Sequence, residues 1–217
     1  MKKPGWKKYK AASDLFGRPP EPKIYPHMVD PTQYGRGLQI FCDGAAEPNP
    51  GVGGWGVAVY LDGVEIHSEH GGFAYTTNNI AELTGLIMAI RWAKVDGRPA
   101  TIQCDSQYCV NGANQWRHGW KARGWKRGGP NSRPENSEIK NLDLWQAIDA
   151  ELTGAKGITI QWCKGHAGIV GNERADELSN IGMRDISGNS RTDTALSPAF
   201  GEETGDYLTD QCREIMR

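Results

Sequence analysis

The run Leu38-Gln39-Ile40-Phe41-Cys42-Asp43-Gly44 constrains this chain more than any other stretch. Leu38, Ile40 and Cys42 alternate with Gln39, Phe41 and Asp43, which predicts a strand with one mostly buried face. The strand ends on an aspartate followed at once by a glycine. Residues 44–51 then supply turn chemistry, and residues 55–61 predict a second strand. A carboxylate at the end of an apolar strand, beneath a tight turn, is poorly solvated. It is costly unless a cation or hydrogen bonds compensate it. Three more carboxylates downstream are placed to share such a cation.

The same region contains Gly51-x-Gly53-x-x-Gly56, the spacing of a dinucleotide fingerprint. That motif works only where the glycines open a helix whose N-terminus faces a pyrophosphate. Here the last glycine opens a β-branched run with strand alternation, so nucleotide binding is rejected.

Further along, Asp62-Gly63 is a hairpin signal, and Val64-Glu65-Ile66-His67 begins a third antiparallel strand. Residues 76–79 offer N-cap side chains for a helix carrying Ile80, Leu83, Leu86, Ile87 and Ile90, through about Lys94. Gly97-Arg98-Pro99 stops it, and residues 100–105 form a short strand that again ends on Asp. Residues 106–128 predict a helix and a basic, tryptophan-bearing excursion. A loop, a helix to residue 152, a fifth strand at 158–163, a glycine-flanked loop at 164–168 and a last helix over 172–183 complete the pattern. The order β-β-β-α-β-α-α-β-α predicts an α/β fold with a mixed five-stranded sheet, an antiparallel meander joined to parallel strands by crossover helices. Beyond it only a weak helix near 207–216 is expected.

Composition excludes some classes. No apolar run approaches the ~18 residues of a membrane span, and the lysine-rich N-terminus has no apolar segment after it. A cytoplasmic location is expected. The cysteines at 42, 104, 109, 163 and 212 lack zinc spacing and read as small buried hydrophobes. Net charge is −1, so the whole chain is no polyanion binder. Its charge is segregated, however: residues 1–13 and 116–134 carry Lys and Arg without acids, and residues 185–217 carry seven acids against three arginines. Local nucleic-acid contact is compatible with that pattern. Three regions are expected: a basic arm over 1–36, a catalytic domain over 37–184 and an acidic extension over 185–217.

Asp43 and Asp105 each end a strand. If those strands are parallel neighbours their carboxylates lie side by side, and then either one is protonated or a divalent cation sits between them. Glu82 lies beside the apolar stripe of its helix, although Asn79-x-x-Glu82 also fits a capping box that would need no catalysis. Asp176, alone, is an ordinary surface acid. Hard oxygen donors without clustered Cys or His point to Mg²⁺ or Mn²⁺ rather than zinc.

DGAAEPNPGVGGWG, TTNNIAEL, CDSQY, QWRHGWKARGW, KNLDLW and KGHAGIVGNERADEL together resemble the type 1 ribonuclease H family, in its order and spacing, over roughly residues 37–184. The resemblance implies the ribonuclease H-like fold and an endonuclease that hydrolyses the RNA strand of RNA·DNA hybrids, giving 5′-phosphate and 3′-hydroxyl ends. It implies that Asp43, Glu82, Asp105 and Asp176 bind two Mg²⁺ ions, for which Mn²⁺ can substitute. His166 matches the family's catalytic-loop histidine. Asn49, Asn78, Gln107 and Asn141 match positions that contact the hybrid, with Asn79 a further candidate; short amides there can read 2′-hydroxyls. Trp116 and Trp120, with Lys121 and Arg123, resemble the basic protrusion that grips the DNA strand, although at least one tryptophan of this segment is expected only to pack. A monomer is expected. The rival classes are a related-fold DNA nuclease or strand-transfer enzyme, and a hybrid-binding module without catalysis. The amides and the protrusion argue against the first, and the presence of all four carboxylates argues against the second.

Overall fold

The computed structural model of the chain describes residues 36–128 and 137–189. The expected arm up to residue 35, the loop 129–136 and the weak helix near 207–216 lie outside the described residues.

Strands β1 (Leu38–Ala46), β2 (Gly51–Leu61), β3 (Val64–Thr76), β4 (Ala100–Cys104) and β5 (Ile158–Trp162) form one sheet in the order β3-β2-β1-β4-β5. β1, β2 and β3 make the antiparallel meander, while β4 runs parallel to both β1 and β5. The turn Asp62-Gly63 has positive φ at both residues, as a two-residue hairpin of this hand requires.

Helix α1 (Asn78–Asp96) carries the chain from β3 across to β4. It starts at Thr77, whose Oγ1 accepts from Ile80 N, and stops at Gly97, which adopts the left-handed conformation at φ 78°. After β4 come α2 (Gln107–Asn111), a π-helical turn (Gly112–Trp116), α3 (Arg117–Ala122) and α4 (Leu142–Leu152). The last helix, α5 (Val170–Asn189), starts two residues earlier than expected and runs past 183. Its last turns have partners: His70 Nε2 meets Asp185 Oδ2 at 3.2 Å, and Ile186 lies over Gly72. The first residues of the expected acidic extension therefore belong to the sheet's helical cover.

β1 buries both faces rather than one, because helices cover the sheet on both sides. Ile40 and Cys42 enter the larger core beneath α1, and Cys104 joins them. Phe41 packs with Ala58, Tyr60, Ala175 and Leu178 beneath α5, its ring edge-on to Tyr60 at 5.7 Å. Burying a ring such as Phe41 contributes roughly 3 kcal/mol.

The fingerprint glycines Gly51, Gly53 and Gly56 lie inside β2, where Gly51 packs on Pro48, Gly53 on Thr76 and Ala45, and Gly56, with its neighbour Gly54, lies under α5. A Cβ at Gly54 would stand 2.1 Å from Ser179 O, and one at Gly56 would stand 2.3 Å from Ala175 O. Helix backbone rests directly on strand backbone there. Those glycines serve packing.

Candidate active site

Parallel pairing aligns Cys42 with Cys104, so Asp43 and Asp105, the residues that follow, stand at the same edge. β1 does not end on Asp43 as expected but runs on to Ala46, because residues 43–46 stay paired with β2, whereas Asp105 lies just past the end of β4. Strand alternation turns the two thiols into the core, 0 % and 1 % exposed, and the two carboxylates away from it. Helix α1 reaches this edge because two glycines let it sit on the strand. A Cβ at Gly44 would lie 2.3 Å from Glu82 N, and one at Gly85 would lie 2.7 Å from Asp43 O. That close seat places Glu82 beside the aspartates. The capping-box alternative fails, since Thr77 caps the helix and Glu82 falls beyond its first turn. Glu82 Oε2 instead accepts a short hydrogen bond from Ser106 Oγ, whose residue also caps α2.

Asp176 comes from α5, half-buried, with Asn180 Nδ2 donating to its Oδ1 at 3.1 Å. The four carboxylates on this edge interact unfavourably through Asp43 and Asp105. Burial first, then the charge of Asp105, pushes the Asp43 carboxyl up to about 8, with a smaller push from Asp176. Burial pushes Glu82 up to about 7, against the Ser106 hydrogen bond and with Asp105 adding to it. Asp105 is raised too, mainly by burial, although Asn172 and His166 oppose the rise. His166 is exposed in the loop after β5, left-handed at φ 50°, and within electrostatic reach of Asp105.

Among the described residues no three Asp, Glu, His or Cys side chains are gathered into a closed metal-binding group. The edge is an open one. Its donor set nevertheless fits a hard divalent cation, because its charged side chains are carboxylates and burial, with the charge of Asp105 added, raises Asp43 and Glu82, a cost that a bound cation would relieve.

The expected amides fall into two groups. Asn49 and Asn78 brace the turn after β1: Asn49 Oδ1 accepts from Asn78 N at 3.2 Å, and Asn78 Oδ1 accepts from Ala46 N at 2.7 Å. Gln107 and Asn79 are exposed. Asn141 precedes α4 in a left-handed conformation at φ 57°, its Nδ2 3.4 Å from Tyr108 Oη. Next to the carboxylates a groove of about 480 Å³ is lined by Asn79, Tyr108, Trp116, Trp120, Arg127 and Lys140.

Two residues of the basic excursion have partners inside the domain. Trp120 is only 9 % exposed, tilted against Trp116 and edge-on to Trp145, so it forms the packed wall of the groove, as expected of at least one tryptophan here. Lys121 Nζ lies 2.6 Å from Asp149 Oδ2, while Arg117 holds the other oxygen of that buried carboxylate. Both cations face Asp149, Arg117 largely buried and Lys121 about half exposed. Trp116 keeps 38 % of its surface exposed, and Arg123 is exposed. Sequence reasoning did not single out Ser106, Tyr108 and Asn172 as residues of this region. Ser106 and Asn172 stand inside the matching motifs, but neither carries a charge that would mark it.

The model of the RNase H family matches residues 35–184. The ribonuclease H of Cupriavidus pinatubonensis is 45% identical over 150 residues, covering 68% of this chain and 96% of that protein. The ribonuclease HI of Pseudomonas syringae pv. tomato is 42% identical over 156 residues, covering 71% and 97%. The chain belongs to the type 1 ribonuclease H family. Its fold is that of other solved members: LC11-RNase H1, determined in complex with an RNA/DNA hybrid, superposes with a TM-score of 0.50 at 22% identity, covering 69% of this chain and 99% of that one. As a ribonuclease H it is a hydrolase. No helix among the described residues is long and apolar enough to cross a membrane.

Proposed function

We propose that this ribonuclease H cuts the RNA strand of RNA·DNA hybrids, leaving 5′-phosphate and 3′-hydroxyl ends, at the edge where Asp43, Glu82, Asp105 and Asp176 converge. The observation that carries this reading is the crowding of half-buried carboxylates, Asp43 pushed up to about 8, beside a groove with an aromatic and cationic lining. Two Mg²⁺ ions, or Mn²⁺, held by the four carboxylates would supply Lewis-acid activation of the attacking water and charge neutralisation at the leaving 3′-oxygen.

The chain's own residues do the rest. Ser106 holds Glu82 through a hydrogen bond, which fixes one carboxylate before any ligand arrives. His166 stands in its exposed loop near Asp105, placed to move a proton or to help product leave. Asn49, Asn78, Asn79, Gln107 and Asn141 line the approach with short amides that can read 2′-hydroxyls. Trp116 offers an indole face to the DNA strand, and Arg127, Lys140 and Arg123 offer charge to its phosphates. The catalytic domain spans 37–184, and a monomeric, cytoplasmic protein completes the reading.

The test is cleavage of a labelled RNA·DNA hybrid with Mg²⁺, beside RNA·RNA and DNA·DNA duplexes, for the wild type and Asp105→Asn. Cleavage of the hybrid alone, abolished by the substitution, is expected. Hybrid binding without cleavage would make the chain a binding module, and cleavage of DNA duplexes would make it a DNA nuclease.

A further inference from the structure

We propose that Cys163 acts through Asn172 to set the carboxylate of Asp105. The thiol S–H fixes which way the Asn172 amide faces, and the amide N–H then holds one Asp105 oxygen in place. The proposal deepens the reading of Asp105 as a metal-binding carboxylate and rests on it.

Cys163 follows β5 directly, Asn172 lies in the first turn of α5, and Asp105 follows β4. Cys163 Sγ donates to Asn172 Oδ1 at 3.3 Å, and Asn172 Nδ2 donates to Asp105 Oδ2 at 3.2 Å. Asn172 is 1 % exposed and Cys163 6 %, so neither can touch a substrate. They are positioning residues.

The amide has one accepting and one donating end, and turning it over exchanges them. The reversed orientation would set Oδ1 against the Asp105 carboxylate and offer N–H groups to a thiol that already carries a proton. Burial and the charge of Asp105 push that thiol up to about 12, which keeps it a donor at neutral pH. Only the observed orientation satisfies all three groups.

The rest of Asp105's surroundings is equally fixed. Trp162 Nε1 donates to its backbone carbonyl at 2.9 Å. Gly165 closes over the carboxylate, where a Cβ would stand 2.4 Å from Oδ2. With backbone and lid held, the Asn172 amide decides the remaining freedom of the side chain. Groups that orient a metal-binding carboxylate commonly change affinity or rate by about 10–100-fold when removed.

Valine keeps the apolar bulk of Cys163 without a donor, and serine keeps a donor with less apolar bulk. A packing role therefore ranks Cys163→Val above Cys163→Ser, and the proposed role reverses that order. Cys163→Val is expected to lower kcat on a hybrid about tenfold and to weaken Mg²⁺ binding severalfold by calorimetry, with KM little changed. Cys163→Ser should stay within about threefold of wild type in each. The side-chain amide NMR signals of Asn172 should shift in the valine variant and return in the serine variant. Asn172→Ala should cost at least as much as Cys163→Val, and the double variant no more than Asn172→Ala alone. Valine equal to or better than serine, or multiplying effects in the double variant, would overturn the proposal. If the wild type binds Mg²⁺ without cutting hybrid, the functional reading fails, while the calorimetric and NMR rankings still decide the relay.

Discussion

At Asp43 the fold holds a carboxyl whose proton is retained up to about pH 8, through burial and the neighbouring charge of Asp105. The unfolded chain loses that proton near its ordinary value of 3.8. Between those values the native state binds more protons, so stability falls as pH rises from about 4 to about 8. Asp43→Asn removes the conflict. In chelator at pH 8 the variant is expected to be more stable than wild type by ~2 kcal/mol or more, and to be inactive on hybrid. Urea titrations at pH 5 and pH 8 check it; a wild-type advantage at pH 8 would refute it. Asp43 and Asp105 could be read from sequence because each follows an apolar run and precedes Gly or Ser. Glu82 was ambiguous, since Asn79 stands where a cap could be, and only the backbone of Thr77 decides where the helix begins. Trp120 and Trp116 looked alike. Which indole is buried depends on Trp145, whose approach from α4 no local pattern encodes.

The elements hold the site through backbone packing more than through side chains. β2 and α5 meet at Gly54 and Gly56 so closely that helix carbonyls occupy the space of a Cβ. A carbonyl fixed in a helix cannot step aside as a flexible side chain would. Gly56→Ala is therefore expected to destabilise by about 2–3 kcal/mol, with loss of hybrid cleavage as α5 carries Asp176 away from the edge. Urea unfolding and activity at matched folded fraction check both parts, and an unchanged midpoint would refute the seat. In sequence Gly56 falls into the spacing of a phosphate loop, because its true partner lies far along the chain on another element. The same distance hid the extent of α5. Its last turns look like the start of an acidic tail until His70 and Gly72 are placed beside them.

Over the whole molecule, a net charge of −1 gives no general attraction to a polyanion, so binding must come from a few local cations. The sequence presents residues 116–134 as one basic surface, but the fold divides it. Among its described residues Arg117 and Lys121 neutralise the buried Asp149, whereas Arg127 lines the groove together with Lys140, which comes from beyond the segment. Arg127 and Lys140, with the exposed Arg123, are placed to displace counterions from a phosphate backbone. Removing one cation that neutralises a phosphate should flatten the dependence of log KM on log salt by about 0.7–0.9. Arg127→Ala and Lys140→Ala are each expected to raise KM and to reduce that slope by about this amount, with kcat and thermal stability little changed. Lys121→Ala should do the opposite. It uncovers part of a buried carboxylate, so it should lower the melting temperature while the salt slope stays near wild type. Initial rates on a labelled hybrid over a range of salt concentrations, with melting curves for the same proteins, measure both quantities. A slope reduced by Lys121→Ala as much as by Lys140→Ala would mean that the Asp149 pair opens to the substrate and that the protrusion grips as one surface after all.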